Sequence, residues 1–393
     1  MSGFTFDQRT RTASDVTPTT IDQFHLDELP ALMDQNGALA TRAFAASNLE
    51  TIALSVDGST YTWALNEQSE LTIAAGDSGE GPLVALSAEW FEDIVNDVRS
   101  TVALMIGEDY EMVRGNIVKV INWEQTLRAL TDQRPAYEDG LISFVDQSGN
   151  SLDLSRKFTL TDDPSEMRHF LSEAGFLHIT GVYSQFEVDQ LSEQTDEWRS
   201  KMTPEDRRAW YARVGDEQVC VRVTGLGADD VDLDIKDRLA PIGAVTGEPY
   251  EYVGTDLLVK PVGVDEGISD LPWHKDCALG MHSYDCASIT CGISITSSDE
   301  KNGRLGVVAG SHRANLPLFD FSGEIELPEL FLSADAGDVT VHLSCTLHCA
   351  TPPQHSERRV SYSSFKLPGE ESALGQKVRN VRDQAGRSTY APS

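Results

Sequence analysis

From residue 218 onward the chain reads as a succession of short apolar runs broken by glycine- and proline-bearing turns. Candidate strands fall at 219–223, 257–261, 288–295, 305–308, 338–343 and 360–365. Many short strands with turns of this kind argue for a double-sheet β-structure, of which a jelly roll is one form. Such a fold matters for chemistry because its inner strands can bring side chains from distant parts of the chain onto one walled cavity.

One stretch uses that geometry. Leu271, Pro272, Trp273, His274, Lys275, Asp276 and Cys277 place a histidine and a carboxylate one residue apart. On an extended segment that spacing points both to the same side. With His348 from a distant strand, three donors can occupy one triangular face of an octahedral metal and leave the other face open. That is the geometry of non-haem Fe(II) oxygenases. The pair alone is weak evidence, since His25, Leu26 and Asp27 repeat it in an N-terminal segment, where it reads as coincidence.

What distinguishes the second pair is its company. A strand-like run from Asp256 to Lys260 and a glycine-rich loop precede it. Asn302, Gly303, Arg304 and Leu305 follow, then Gly310, Ser311 and His312, then Gly337 to His342, then His348, then Arg358 and Arg359. This ordered series resembles the phytanoyl-CoA dioxygenase family of Fe(II)/2-oxoglutarate oxygenases over roughly residues 160 to 368. A helix from Asp163, a strand from Gly175 to Val182 and a helix from Ser184 to Trp198 also resemble the start of that family.

The resemblance implies a double-stranded β-helix, or jelly roll, with flanking helices. It implies Fe(II) on His274, Asp276 and His348, with 2-oxoglutarate and O2 as co-substrates. The arginine that neutralises the far carboxylate of 2-oxoglutarate lies eleven residues after the distal histidine in the family, which lands on Arg359. Arg358 is then expected on the opposite side of its strand. A planar, permanently charged fork suits a carboxylate best, and Lys260 is a second cationic candidate. The family often has Ser or Thr two residues after the distal histidine; here Ala350 stands there and Thr351 follows. Gly292 occupies a position where bulkier side chains are common, which suggests a larger cavity. His342, an even six residues before His348, is expected as a pocket or supporting residue. His282 could meet substrate, while His312 reads as a turn-fixing residue.

Ahead of this, residues 25 to 135 offer a helix from Leu29, short alternating runs, and a helix after Ser87 with an apolar stripe at 91, 94, 95, 98 and 102. Asp57 and Gly58 signal a hairpin. The runs from Val84 to Phe91 and from Tyr110 to Asn116 resemble the sterol-carrier-protein-2 fold. The expected class is therefore α+β, with an accessory domain over 1–140, a catalytic domain over 155–370 and a polar tail over 371–393. The polar, turn-rich stretch 131–155 marks the boundary.

Composition sets the exclusions. With 31 basic against 63 acidic residues the formal charge is -32, a field that repels nucleic acid and anionic membrane. No run is apolar enough to span a bilayer, and the start lacks the basic and apolar regions of an export signal. The six cysteines lack the CxxC spacing of zinc sites and are expected as reduced core thiols in a cytoplasmic protein. The function the resemblance implies is hydroxylation, or another oxidation, of a C–H bond in a small hydrophobic or modified metabolite. The alternatives are a non-catalytic carrier of a hydrophobic ligand with a degenerate oxygenase domain, and an iron enzyme that needs no 2-oxoglutarate.

Overall fold

The structure, a computed structural model, describes residues 17–97, 99–105, 110–265, 271–276, 288–316 and 325–366. The chain opens with a short helix α1 (Ile21–Gln23), started by a capping box between Thr20 and Gln23. A π-helical turn leads into α2 (Leu29–Ala46). Five strands follow: β1 (Thr51–Val56), β2 (Ser59–Leu65), β3 (Leu71–Ala75), β4 (Leu83–Leu86) and β5 (Tyr110–Arg114). They form one sheet in the order β3-β2-β1-β4-β5, with β1 and β4 parallel and the other pairs antiparallel. Asp57 and Gly58 both take positive φ to close the expected hairpin. Helix α3 (Ala88–Val95) is capped by the Ser87 hydroxyl, and α4 (Ile117–Thr131) by Asn116. Phe44, Ile52, Trp63, Phe91, Trp123 and Leu127 fill the core between these layers.

The helix expected to run from Ser87 through Val102 stops at Val95. Asp97 turns left-handed just beyond it, and the carboxylates of Asp93 and Asp97 are drawn to the buried Arg99 and Arg128. Ion pairing of buried charge decides the helix end here, overriding the apolar stripe. His25 is no ligand: its Nδ1 lies 2.7 Å from the Ile21 carbonyl, the Trp63 indole donates to its Nε2 at 3.0 Å, and it stacks on Tyr61.

The second half begins with α5 (Pro164–Ala174), strand β6 (Phe176–Ile179) and α6 (Gln185–Lys201). Gly175 ends α5 at positive φ, and a Cβ there would lie 2.5 Å from both His312 Nδ1 and Thr346 Oγ1, so only glycine admits that close approach. Strands β7 (Ala209–Val214) and β8 (Glu217–Leu226), helix α7 (Ile235–Gly243) and strand β9 (Glu251–Lys260) follow. Then come β10 (Leu271–His274), β11 (Ile289–Ser294), β12 (Leu305–Val308), β13 (Glu329–Leu332), β14 (Val339–Leu343), β15 (His348–Ala350) and β16 (Arg358–Lys366).

These strands build two antiparallel sheets, ordered β6-β14-β11-β16-β9-β8-β7 and β10-β15-β12-β13. This is the double-stranded β-helix in an α+β chain. One face of the larger sheet (Leu257, Cys291, Ile293, Val339, Val341, Phe365) packs on Phe170 and Leu171 of α5, Leu191 of α6 and Leu239 of α7. Side chains alternate along a strand, so the intervening residues share the opposite face. Registered neighbours Thr340, Gly292, Tyr362 and Asp256 run across it in one row.

The two halves touch through a buried exchange. Gln125 of α4 donates to the Asn315 carbonyl at 3.0 Å, and the Asn315 amide donates back to the Gln125 carbonyl at 3.0 Å. No helix among the described residues is long and apolar enough to cross a membrane. Cys220, Cys291, Cys345 and Cys349 are buried free thiols. The expected tail over 371–393 lies outside the described residues.

Candidate metal centre

Strand β10 ends on His274, and β15 begins on His348, its registered partner across the smaller sheet. Asp276 follows two residues after His274. Pairing of the two strands therefore delivers the three side chains to one end of that sheet. Among the described residues this is the one group of three or more His, Cys, Asp or Glu whose ligand atoms lie within 4.8 Å of one another. His274 Nε2 stands 3.4 Å from Asp276 Oδ1, and His348 Nε2 stands 3.7 Å from the same oxygen. Adjacent donors around an octahedral ion with bonds of about 2.1 Å would sit roughly 3 Å apart, so a small contraction converts this triangle into a coordination face.

The local electrostatics prepare the donors. His348 Nδ1 lies 2.9 Å from the Thr346 carbonyl; the ring hydrogen belongs on that nitrogen, leaving the Nε2 lone pair aimed at the centre. Burial, followed by the neighbouring His342 and His274, holds His348 well below the usual imidazole range. Burial pushes the Asp276 carboxyl up, but His348, His274 and His342 together carry it well below the usual carboxylate range. A neutral imidazole beside an ionised carboxylate is the state a divalent metal binds. Two imidazoles and one carboxylate, with no thiolate among them, suit iron of the open-face type.

His342 of β14 reaches the same place from the larger sheet. Its Nε2 is 3.6 Å from Asp276 Oδ2, its ring lies 4.1 Å from that of His348, and neither ring nitrogen has a hydrogen-bond partner among the described residues.

Arg359 turns away from the centre. Its guanidinium donates to Ser192 Oγ at 2.9 Å and Asp196 Oδ2 at 2.8 Å on α6, and to Glu357 Oε1 at 2.7 Å. It thus lies on the helix-covered side of the sheet. The reason is strand parity: Arg358, Val360 and Tyr362 share the face turned to the metal centre, and Arg359 shares the other with Ser361 and Ser363. Arg358 is 3 % exposed and stands directly opposite Lys260, which is 2 % exposed. Arg358 Nη1 is buried with no hydrogen-bond partner among the described residues, the condition expected where an absent anion belongs.

Two other details differ from expectation. A Cβ on Gly292 would meet the Tyr362 ring at 3.0 Å and Thr340 Oγ1 at 3.2 Å, so the missing side chain makes room for Tyr362. Thr351 accepts the Arg304 amide at 2.7 Å and so serves a turn. His312 is buried, with Nε2 2.9 Å from the Ser172 carbonyl. His282 lies outside the described residues. The sequence reading passed over Tyr362, and also Arg222, which pairs with Asp256 at 3.1 Å and stacks on Trp210. Counting strand parity outward from Lys260 was the signal that could have found them.

Residues 171–360 match the family described as phytanoyl-CoA dioxygenase (PhyH). No curated protein matches the chain. Among solved structures, AviO1 from Streptomyces viridochromogenes Tue57 is 21% identical over 54% of this chain and 98% of its own, with a TM-score of 0.43. The non-heme alpha ketoglutarate dependent carbocyclase SnoK from nogalamycin biosynthesis is 19% identical over 57% of this chain and 94% of its own, with a TM-score of 0.42. EctD from S. alaskensis with 2-oxoglutarate and 5-hydroxyectoine is 15% identical over 61% of this chain and 91% of its own, with a TM-score of 0.44. The likeness of residues 25–135 to sterol-carrier-protein-2 is not confirmed. Residues 171–360 are a phytanoyl-CoA dioxygenase (PhyH) family domain, which makes the chain an enzyme of the 2-oxoglutarate-dependent non-haem iron oxygenases.

Proposed function

We propose that His274, Asp276 and His348 hold Fe(II), and that Arg358 with Lys260 receives the far carboxylate of 2-oxoglutarate. The observation that carries the reading is the convergence of three donor atoms within 4.8 Å, one of them on an imidazole whose tautomer the backbone fixes. With O2, 2-oxoglutarate and substrate RH, the bound metal would supply conversion to ROH, succinate and CO2.

The chain's own residues bind, orient and exclude water. The buried Arg358 guanidinium offers a fixed pair of donors to a carboxylate. Its setting opposite Lys260 favours a dianionic co-substrate over a 2-oxo acid with a neutral tail. The face turned to the centre also carries Thr290, Thr340, Tyr362 and the Arg222–Asp256 pair. Such a wall favours a modified metabolite bearing hydroxyl or amide groups over a bare hydrocarbon. The chain's acidity argues against the phosphates of an acyl-CoA.

The test is succinate release from 2-oxoglutarate by the full chain with Fe(II) and O2, followed by magnetic resonance across a panel of small metabolites. Slow release without substrate, accelerated by the right compound and lost in Asp276→Ala, supports the reading. Complete absence of succinate under all conditions would favour the carrier function instead. Turnover that needs Fe(II) and O2 but not 2-oxoglutarate would favour an iron enzyme of another kind.

A further inference from the structure

The turn from Gly310 to His312, one of the motifs in the sequence, has no part in the reaction as described so far. Its serine nevertheless touches both segments that carry the donors. Lys275 stands between His274 and Asp276; neighbouring side chains on an extended segment point opposite ways, so it turns from the centre. Its ammonium donates to the Ser311 carbonyl at 2.8 Å. The Leu347 amide, one residue before His348, donates to the Ser311 hydroxyl at 2.8 Å. That hydroxyl donates in turn to the Val308 carbonyl at 2.7 Å, and the Val308 amide donates to the Leu347 carbonyl at 2.9 Å.

Ser311 and Lys275 are both buried, and the turn is itself held: Gly310 donates to the Ala174 carbonyl at 3.0 Å and His312 bonds the Ser172 carbonyl. A buried ammonium is costly to keep in a protein interior unless something fixes it in place. Its bond to a backbone carbonyl of a rigid turn ties the segment between two would-be ligands to that turn.

We propose that Ser311 and Lys275 are positioning residues that clamp the two donor-bearing segments to a single point, presetting the triangle of His274, Asp276 and His348 before a metal arrives. The clamp fixes the backbone on either side of Lys275 and immediately ahead of His348. It thereby lowers the ordering cost of bringing the donors together, which would otherwise weaken metal binding. This rests on the metal reading above.

The deciding experiment is an anaerobic Fe(II) titration of the full chain against a chromophoric chelator, with the apo thermal midpoint and circular dichroism of each protein recorded alongside. The variants are Lys275→Met, which keeps an unbranched apolar stem and removes the ammonium, and Ser311→Ala. The clamp predicts one Fe(II) per wild-type chain and about 10–100-fold weaker binding in both variants, the usual cost of losing an outer support. It also predicts altered absorption bands with Co(II) in place of iron. A residue that only packs would lower the thermal midpoint and leave the affinity of the folded protein unchanged. Folded Lys275→Met binding within twofold of wild type overturns the clamp while the metal reading stands. If Ser311→Ala does not fold, Lys275→Met decides alone. A wild type that binds no Fe(II) overturns the metal reading and the clamp together.

Discussion

Two buried histidines show how differently the two halves of this chain treat polar groups. His25, in the first half, uses both ring nitrogens, one on the Ile21 carbonyl and one on the Trp63 indole. His342, in the second, is just as deeply buried and hydrogen-bonds through neither among the described residues, its Nε2 standing 3.6 Å from Asp276 Oδ2. The cations follow the same rule. Arg99 meets Glu89 and Asp93 at 3.1 and 2.9 Å, and Arg128 meets Asp97 and Glu124 at 3.3 and 3.7 Å. Arg358, by contrast, faces no such carboxylate among the described residues: it stands opposite Lys260, and its buried Nη1 has no hydrogen-bond partner there. An unmet buried group costs about 1–3 kcal/mol, more if charged. Paired charge in the first half holds structure; of the buried groups in the second, we assign Arg358 to the ligand and place His342 beside the proposed metal.

That contrast breaks first at Arg128. Replacing it by Met strands the Asp97 and Glu124 carboxylates in the interior, and loss of one partner of a buried ion pair costs about 3–5 kcal/mol. The expected outcome is a large fall in the chemical denaturation midpoint, with Fe(II) affinity of the folded protein unchanged. Next in size is acid sensitivity at His25. Burial lowers its pKa to about 4, against the model-compound 6.5. A base with a depressed folded pKa binds more protons when unfolded, so stability is full above about 6.5 and declines as pH falls toward 4. The loss is roughly 3 kcal/mol across that window, and His25→Gln should flatten the stability profile measured by urea melts.

Arg358→Ala takes the opposite course from Arg128→Met. It should raise the KM for 2-oxoglutarate by about 10–100-fold, the worth of a charge-assisted hydrogen bond of roughly 1.5–3 kcal/mol, with little loss of stability. Smallest of all is Arg359→Ala. Its pairing with the half-exposed Asp196 is of the kind worth about 0–1 kcal/mol, and the KM for 2-oxoglutarate should not move. If Arg359→Ala raises that KM and Arg358→Ala does not, the contrast fails at its most specific point.

The proposed donors stand out in the sequence because metal chemistry restricts residue types severely. His274, Asp276 and His348 are legible from type, spacing and the order of motifs around them. The double-stranded β-helix is legible from the rhythm of short strands. The proposed cation is legible only as a pair: family spacing selects Arg359, while the register of β16 against Lys260 turns Arg358 toward the proposed centre. A one-residue difference in strand phase flips every side chain, and no local pattern in Glu357 to Val360 reveals it. The first half is less legible for another reason. The end of α3 is set by ion pairs between Asp93 and Arg99 and between Asp97 and Arg128, contacts across the fold that an apolar stripe does not encode. The link from Ser311 to Lys275 and Leu347 is likewise long-range, with ordinary residue types at both ends.

The most direct measurement is a crystal structure of the full chain grown without oxygen in Fe(II) and 2-oxoglutarate. The proposed centre predicts iron bonded to His274 Nε2, Asp276 Oδ1 and His348 Nε2 at about 2.0–2.2 Å, with the far carboxylate of 2-oxoglutarate against Arg358 and Lys260. Iron bound elsewhere, or a carboxylate seated on Arg359, would contradict it.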